Sequence, residues 1–393
     1  MFILLSSLQG EFHPSAPTLE AVRDRLPMLG FPIDGLEQIG EHTVLEVDIT
    51  ANRGDVMSHR GLARDLAAGL GLSLAPLEVP RQTEGNPARE IRLEASACSL
   101  YATAELSLGA GATPEDAKRF LTLLGLTPKC LPAVDASNEL LHRYGHPTHA
   151  FDADKVRGAV RVRWAKAGET LITLDGVSRA LTPEDLVIAD DAGPIAMAGV
   201  MGGDATKVTE TTTRVLLEAA YFDPKVVRLM ARRHGLHSDA SHRFGRGADP
   251  LMPRVARDLL VARLQAWANA TVQAVWSVGQ EPPTAAAIPL SGSLLNRIAG
   301  ETLALGEAAL LLGRLGCIVE AQPEGLKAVP PSWRHDLAIP EDLAEEVLRL
   351  RGYDRLQAVL PPLDADPEPL QSTILRAQSL AKRMAHLGFF QTV

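Results

Sequence analysis

Three short stretches that mix polar side chains with glycine place the strongest constraint on this chain. They are residues 145–152 (GHPTHAFD), 198–203 (AGVMGG) and 240–247 (ASHRFGRG). Because glycine lets a backbone approach a ligand closely, the three stretches together predict a binding site for a small polar ligand rather than plain core.

Glu218 adds to this prediction, because it interrupts the apolar run of residues 215–220 (VLLEAA). A buried carboxylate must find a hydrogen-bond donor or lose much solvation energy. Two interpretations of Glu218 stay open from the sequence. It is either a salt-bridged carboxylate on a strand or a group that binds a ligand.

The length of 393 residues is too great for one ordinary core, and it predicts two to four domains. No run of about 18 apolar residues is present, so we expect no membrane-spanning helix. The cysteines, Cys98, Cys130 and Cys317, are odd in number and far apart. They argue against a disulfide framework or a thiolate metal site and indicate a cytoplasmic location.

A basic stretch stands out on this acidic chain, whose formal net charge is −9. Residues 225–257 carry eight lysines and arginines, including Arg232 and Arg233, and only Asp239 and Asp249 oppose them. Such a stretch is typical of a surface that binds a phosphate backbone. Charge runs are more commonly solvated helix faces, and both interpretations stay open.

Element patterns predict an α+β, multidomain chain. In residues 1–78 we expect a strand at 44–49 and a helix from Asp55, as its cap, to Gly69 or Gly71. In residues 79–288 we expect a helix capped by Thr113, strands at 160–164 and 186–189, a helix after Asp223, and another at 253–268.

Two further segments follow the Pro- and Ala-rich residues 282–289. Residues 289–363 predict a small domain with a helix at 306–315, a strand pair and a helix at 341–351. After the prolines at 361, 362, 367 and 369, residues 364–393 predict one amphipathic helix that ends at Gly388. Residues 389–393 then begin like a strand, which indicates a truncation.

An ordered set of motifs resembles the beta subunit of bacterial phenylalanyl-tRNA synthetase from the first domain to the last residue. The motifs are residues 48–55 (DITANRGD), 134–138 (VDASN), 149–152 (HAFD), 198–203, 217–222 (LEAAYF), 241–244 (SHRF), 331–336 (PSWRHD) and 342–346 (DLAEE). The resemblance implies a central mixed α/β editing domain flanked by two small helix-turn-helix-like domains. It also implies a truncated form without the oligonucleotide-binding-fold tRNA domain and the C-terminal core.

The resemblance implies hydrolysis of tyrosine wrongly esterified to phenylalanine tRNA. Glu218 matches the family residue that recognises the phenolic hydroxyl, and His149 matches a position beside the ester, so both are expected to be catalytic. The expected substrate-binding residues are Ser137 and Asn138 near the ester and terminal adenosine, and Gly199, Ser238 and Ala240 around the ring. No nucleophile-elbow pattern is present, so a covalent acyl-enzyme is not expected.

Several residues depart from the family pattern. Ser137 and Ser238 stand where threonine is common, and Gly245 replaces a glutamate. His149 is also compatible with a core or capping role. The departures therefore leave open a second interpretation, a non-catalytic module that binds RNA or an alpha subunit.

A second constellation consists of four acidic residues, Asp336, Asp342, Glu345 and Glu346. Convergent carboxylates repel one another unless a cation joins them, and an all-oxygen set suits Mg²⁺, as the resemblance also implies. The alternative is an acidic helix face paired with Arg334 and Arg349. The expected partners are mischarged tyrosyl-tRNA and an alpha subunit, without which we expect no ligase activity.

Overall fold

The computed structural model describes residues 1–283, 285–356 and 371–392. The chain divides into two compact units, residues 1–356 and residues 357–393. The first unit contains three successive regions that each combine helices with strands. The predicted α+β, multidomain fold is therefore confirmed.

The N-terminal region is built on three strands. Its elements are β1 (Phe2–Leu4), α1 (Leu5–Gln9), α2 (Leu19–Met28), β2 (Ile33–Ile39), β3 (His42–Val47) and α3 (His59–Leu70). The strands form an antiparallel sheet of order β1-β3-β2. Strand β3 is the strand predicted at residues 44–49.

Helix α3 begins later than predicted. Ser58 rather than Asp55 is its N-cap, because the Ser58 hydroxyl accepts a hydrogen bond from a backbone N–H of the first turn at 3.0 Å. Asp55 instead accepts two hydrogen bonds from the Arg53 guanidinium, which occupy its carboxylate. The predicted C-terminal end is confirmed, since Gly71 follows the helix in the left-handed conformation with φ 69°.

The central region contributes eleven strands and five helices within the described residues. They are β4 (Ile91–Leu93), β5 (Cys98–Ser107), α4 (Glu115–Leu123), α5 (Pro132–Tyr144), β6 (His149–Asp152), β7 (Val160–Trp164), β8 (Thr170–Ile172), β9 (Ser178–Ala180), β10 (Leu186–Ala189), β11 (Pro194–Met197), β12 (Met201–Gly202), β13 (Arg214–Phe222), α6 (Pro224–Arg233), α7 (Asp239–Arg246), α8 (Met252–Ala268) and β14 (Thr271–Gly279).

Most elements predicted here are confirmed. Strands β7 and β10 and helix α8 lie where the sequence predicts them, and the Asp223 carboxylate caps α6. The predicted cap of α4 is wrong. The Thr113 hydroxyl donates to the Asp135 carboxylate at 2.6 Å instead, and the helix begins at Glu115 without a side-chain cap.

Two sheets position the candidate site. One has the strand order β12-β11-β10-β7-β4, and the other is antiparallel with the order β14-β5-β13-β6. Side chains of β13 alternate between two cores. Leu216 and Ala220 pack on the side of the five-stranded sheet, whereas Val215 and Leu217 pack on the side of α8. Glu218 therefore lies on the face of Leu216 and Ala220.

The third region also has a three-stranded antiparallel sheet, of order β15-β17-β16. Its elements are β15 (Ile288–Ser291), α9 (Gly292–Ala299), α10 (Leu305–Arg314), β16 (Ile318–Gln322), β17 (Gly325–Val329) and α11 (Pro340–Arg351). Helix α10, the strand pair and α11 lie where the sequence predicts them, whereas α9 was not predicted.

The N-terminal and third regions share one hydrophobic core. Leu29 and Leu66 of the first region belong to the same cluster of buried side chains as Leu312 and Leu348 of the third. The two small domains predicted on either side of the central domain thus pack against each other. The boundaries 1–78, 79–288 and 289–363 remain predictions.

The C-terminal unit is described over residues 371–392, where helix α12 (Ser372–His386) confirms the predicted amphipathic helix. Residues 389–392 form no strand, so the strand predicted to begin at Phe389 is absent from the described part of this unit. The predicted proline-rich segment and the boundary between residues 363 and 364 lie outside the described residues.

Candidate functional site

The seven residues predicted for the ligand site line one cavity of about 460 Å³. They are Ser137, Asn138, His149, Gly199, Glu218, Ser238 and Ala240. They come from α5, β6, the turn between β11 and β12, β13 and the start of α7. The structure therefore brings together residues that are up to 103 positions apart, and their roles remain predictions.

Glu218 is a buried carboxyl without a counter-charge. Its side chain is 6% exposed, and burial raises its pKa to about 8, with no donor or cation contributing to the shift. The register places it opposite Thr103 of β5 and His149 of β6. The salt-bridged alternative is therefore not what the described residues show, and the group is mostly protonated at pH 7.

His149 lies next to Glu218 on the same sheet face, on the adjacent strand β6. Burial lowers its pKa to about 4, so its ring is neutral at pH 7. The ring packs edge-on against Phe151 with centroids 4.5 Å apart, and its Nε2 has no hydrogen-bond partner among the described residues. A Cβ at Gly202 would lie 2.5 Å from His149 Cε1, so only glycine leaves room for this ring.

Two more buried hydroxyls face the cavity without partners. Ser137, on α5, has an Oγ with no hydrogen bond within the described chain, and the same holds for Oγ1 of Thr148. Both residues line the cavity beside His149. Thr148 was missed as a site residue, although it stands within the glycine-containing motif directly before His149.

Gly199, Ser238 and Ala240 shape the cavity rather than offer free polar groups, whereas Asn138 adds its side-chain amide to the lining. Gly199 has φ 70°, and a Cβ there would lie 3.0 Å from ring carbons of Phe222 and Phe244. The Ser238 hydroxyl donates to the Val200 carbonyl at 2.6 Å and accepts from a backbone N–H of α7 at 3.0 Å, so it caps that helix. Ala240 adds a small side chain to the same wall.

The rest of the lining is mainly apolar. Its members include Leu141, Leu174, Ile188, Ala196, Met197, Val200, Met201 and Phe244. An apolar cavity with a few unsatisfied polar groups is typical of a small-molecule site. The size and the lining suit an aromatic ring with one polar end.

The four acidic residues of the predicted magnesium site are brought to one cavity of about 200 Å³, but arginines compensate two of them. Arg334 donates to Asp336 and to Glu346, each at 2.8 Å, and Arg349 also donates to Glu346. Among the described residues no group of three or more His, Cys, Asp or Glu can hold a metal ion. The ion-paired alternative is therefore what the structure shows.

Asp342 and Glu345, unlike Asp336 and Glu346, are not paired with an arginine in the described residues. One Asp342 oxygen accepts from the backbone N–H groups of Ala338 and Ile339, which caps α11, and Glu345 is exposed. Burial alone would raise the pKa of Glu346. The positive charges and hydrogen bonds of Arg349 and Arg334 have the larger effect and lower the pKa to about 2. These residues do not fit Mg²⁺, because an ion there would compete with two buried guanidinium groups.

No helix in the part of the chain that the structure describes has the length and apolarity needed to cross a membrane.

Comparisons with known proteins agree with the resemblance. A family model described as B3/4 domain matches residues 97–269, which include all seven cavity residues, and one described as tRNA synthetase B5 domain matches residues 288–353. The solved N-terminal fragment of the phenylalanyl-tRNA synthetase beta-subunit from Pyrococcus horikoshii covers 89% of this chain and 99% of its own, with a TM-score of 0.50 and 16% identity. This likeness supports the fold alone.

Relatives with closer sequences are phenylalanine–tRNA ligase beta subunits. That of Nocardia farcinica is 42% identical over 370 residues, covering 90% of this chain and 44% of the relative. That of Cutibacterium acnes is 40% identical over 344 residues, covering 86% of this chain and 40% of the relative. The chain thus spans less than half the length of these relatives, and over most of its own length it is homologous to phenylalanine–tRNA ligase beta subunits.

Proposed function

We propose that the central region hydrolyses the ester of tyrosine wrongly attached to phenylalanine tRNA. The observation that carries this proposal is Glu218, a buried carboxyl that lines the cavity and has no hydrogen-bond partner within the described residues. Burial deprives such a group of solvation, and a ligand that hydrogen-bonds it recovers part of that loss.

Tyrosine fits this requirement and phenylalanine does not. The phenolic hydroxyl can donate to the carbonyl oxygen of protonated Glu218 or accept its proton. Phenylalanine would leave the carboxyl unsatisfied, and a site built to bond a hydroxyl rejects the analogue that lacks it. Gly199 and Ala240 leave space for the ring.

The ester end is served by a separate group of polar atoms. Ser137 Oγ, Thr148 Oγ1 and His149 Nε2 are buried at the cavity wall and have no hydrogen-bond partner in the part of the chain that the structure describes. With a pKa of about 4, His149 is a weak general base at pH 7. We therefore propose that His149 orients the attacking water molecule and that the two hydroxyls bind the ester oxygens.

In the proposed step the water oxygen attacks the ester carbonyl carbon. The bond from that carbon to the ribose oxygen breaks, the ribose oxygen receives the proton, and free tyrosine and tRNA leave. Ser137 is not assigned as a nucleophile, because its Oγ has no hydrogen bond to a base in the described structure.

The wider roles are also proposals. The relatives are named as ligase beta subunits, and from the resemblance we propose that this chain contributes to aminoacylation only with an alpha subunit. We propose tRNA as its partner and keep the cytoplasmic location as a prediction. No role is derived for Mg²⁺, since the acidic residues do not fit the ion.

The test is hydrolysis of preformed esters by the purified chain. Tyrosyl and phenylalanyl esters of phenylalanine tRNA are incubated with it, and release of each amino acid is compared with release in buffer. We expect faster release of tyrosine and release of phenylalanine near the buffer rate. Buffer rates for both esters would contradict the proposal and favour the non-catalytic binding module.

A further inference from the structure

The basic stretch at residues 225–257 divides into two classes in the structure. Four arginines are bound to carboxylates: Arg233 to Glu184 and Asp185, Arg243 to Asp239, Arg254 to Glu84 and Glu281, and Arg257 to Glu84 and Asp258. Their charges are neutralised within the fold. Arg232 and Arg233, which the sequence predicts as equivalent phosphate contacts, are therefore not equivalent.

The other four cations are Lys225, Arg228, Arg232 and Arg246, which we call the basic face. None of them lies within 4.0 Å of a carboxylate in the described residues. Lys225, Arg228 and Arg232 stand at positions i, i+3 and i+7 of α6 and are exposed, so they form one stripe along that helix.

Helix α7 packs against this stripe through Gly245, and the next residue, Arg246, is half-buried with its guanidinium 3.4 Å from Met57 Sδ. A Cβ at Gly245 would lie 3.4 Å from Arg228 Cβ, so residue 245 of α7 is packed directly on the stripe. The family resemblance places a glutamate at this position. Here the glycine supplies no carboxylate, and Arg228 keeps its full positive charge at the surface.

The same helix connects the basic face to the candidate site. Asp239 lines both the site cavity and a second cavity of about 400 Å³, and His242, Arg243 and Arg246 also line this second cavity. Residues 239, 242, 243 and 246 share one side of α7 by their spacing. Arg246 lies about 10 Å along the helix from Asp239.

We propose that the basic face binds the phosphate backbone of a single-stranded RNA end whose terminal ester enters the site cavity. Unpaired arginines suit phosphate, because their planar guanidinium groups can bind two of its oxygens at once. On a chain with net charge −9, four uncompensated cations on adjacent helices form a local attraction for a polyanion. The orientation of the RNA rests on the proposed hydrolysis, whereas the binding itself does not.

The test measures the affinity for uncharged phenylalanine tRNA at several salt concentrations. Each lost phosphate contact should flatten the log–log salt dependence by about 0.7 unit. We expect this flattening and a weaker affinity for Arg228→Ala, Arg246→Ala and Gly245→Glu, the last because its carboxylate would pair with Arg228. Arg254→Ala is the matched control, since that arginine is already bound to Glu84 and Glu281.

A second substrate separates this proposal from the proposed hydrolysis. Tyrosyl-adenosine carries the ester without a phosphate backbone, so basic-face variants should hydrolyse it at the wild-type rate while their KM for tyrosyl-tRNA rises. If the wild-type protein hydrolyses neither tyrosyl-adenosine nor tyrosyl-tRNA, only the proposed function is contradicted. Wild-type affinity and salt slope in all three variants would overturn the RNA-binding proposal.

Discussion

Glu218 of β13 and His149 of β6 are direct partners in the register of the four-stranded sheet. Their side chains project from the same face, toward one cavity. Burial raises the pKa of Glu218 to about 8 and lowers that of His149 to about 4, so both groups are mostly neutral at pH 7. Within the described residues the pair is thus two neutral groups that share no ion pair.

Glu218→Ala should remove the preference for tyrosine. A hydrogen bond to the phenol and the cost of an unsatisfied carboxyl amount to about 1–3 kcal/mol, or roughly fivefold to more than a hundredfold in the ratio of kcat/KM for the two esters. Glu218→Gln keeps a donor and an acceptor at the same place and should keep part of the preference. An unchanged ratio in the alanine variant would exclude Glu218 from recognition.

Glu218 should also leave a signature in the pH dependence of stability. A carboxyl whose pKa rises from 4.5 unfolded to about 8 folded binds more protons in the folded state between these values. The free energy of unfolding therefore falls as pH rises through this interval, by up to about 1.4 kcal/mol per pH unit. Glu218→Gln cannot titrate, so wild type should lose about 1.2 kcal/mol more than this variant between pH 6.5 and 7.5.

The difference between wild type and Glu218→Gln separates the titration of Glu218 from that of other groups. The buried His59, His142, His146 and His149 have lowered pKa values and act in the opposite direction, mainly below pH 6.5. They are present in both proteins and cancel in the difference. Chemical denaturation at the two pH values provides the measurement, with the exposed Glu345→Gln as a control that should follow wild type. Parallel curves for wild type and Glu218→Gln would show that Glu218 is not a buried, uncompensated acid.

Local patterns in the sequence predict much of the fold and of the cavity. The apolar run around Glu218 and the glycine-containing motifs are local features of the sequence, and the structure gathers them around one cavity. The sequence does not predict features that need partners far along the chain. Asp65 and Arg349 are 284 positions apart, and their ion pair could not be inferred from either segment. The acidic residues are a different case, because the arginines bound to Asp336 and Glu346 lie only two to twelve positions away, and the sequence left the ion-paired alternative open beside the metal site.

Gly202→Ala should impair hydrolysis indirectly, by displacing the His149 ring. The new Cβ would lie 2.5 Å from the His149 ring, which must move from its place at the cavity wall. We expect slower hydrolysis of both the tyrosyl and the phenylalanyl ester, as for His149→Ala, with the ratio between them unchanged. A shift of the His149 ring signals in NMR spectra would show the displacement directly.

Gly313→Ala is the matched control for this change, because its Cβ would meet no atom within 4 Å. It should preserve both rates and the His149 signals. If Gly202→Ala hydrolyses both esters as wild type does, the position of His149 does not matter for the reaction.

The ion network between the N-terminal and third regions should contribute to the free energy of unfolding, and it should do so without a bound magnesium ion. Asp65 accepts hydrogen bonds from Arg53 at 2.7 Å and from Arg349 at 2.5 Å, and Arg349 continues to Glu346. Asp65→Asn would leave two buried guanidinium groups undercompensated, so we expect a loss of about 3–5 kcal/mol in the free energy of unfolding. Glu345→Gln, an exposed change on the neighbouring helix face, should cost little.

Magnesium provides the decisive comparison for this network. A ligand that binds only the folded state raises the melting temperature with its concentration. Because arginines already compensate Asp336 and Glu346, millimolar magnesium should leave the melting temperature of wild type and of Glu345→Ala unchanged. A magnesium-dependent rise in wild type that Glu345→Ala abolishes would restore the metal site, since the ion would then have displaced Arg334 from these carboxylates.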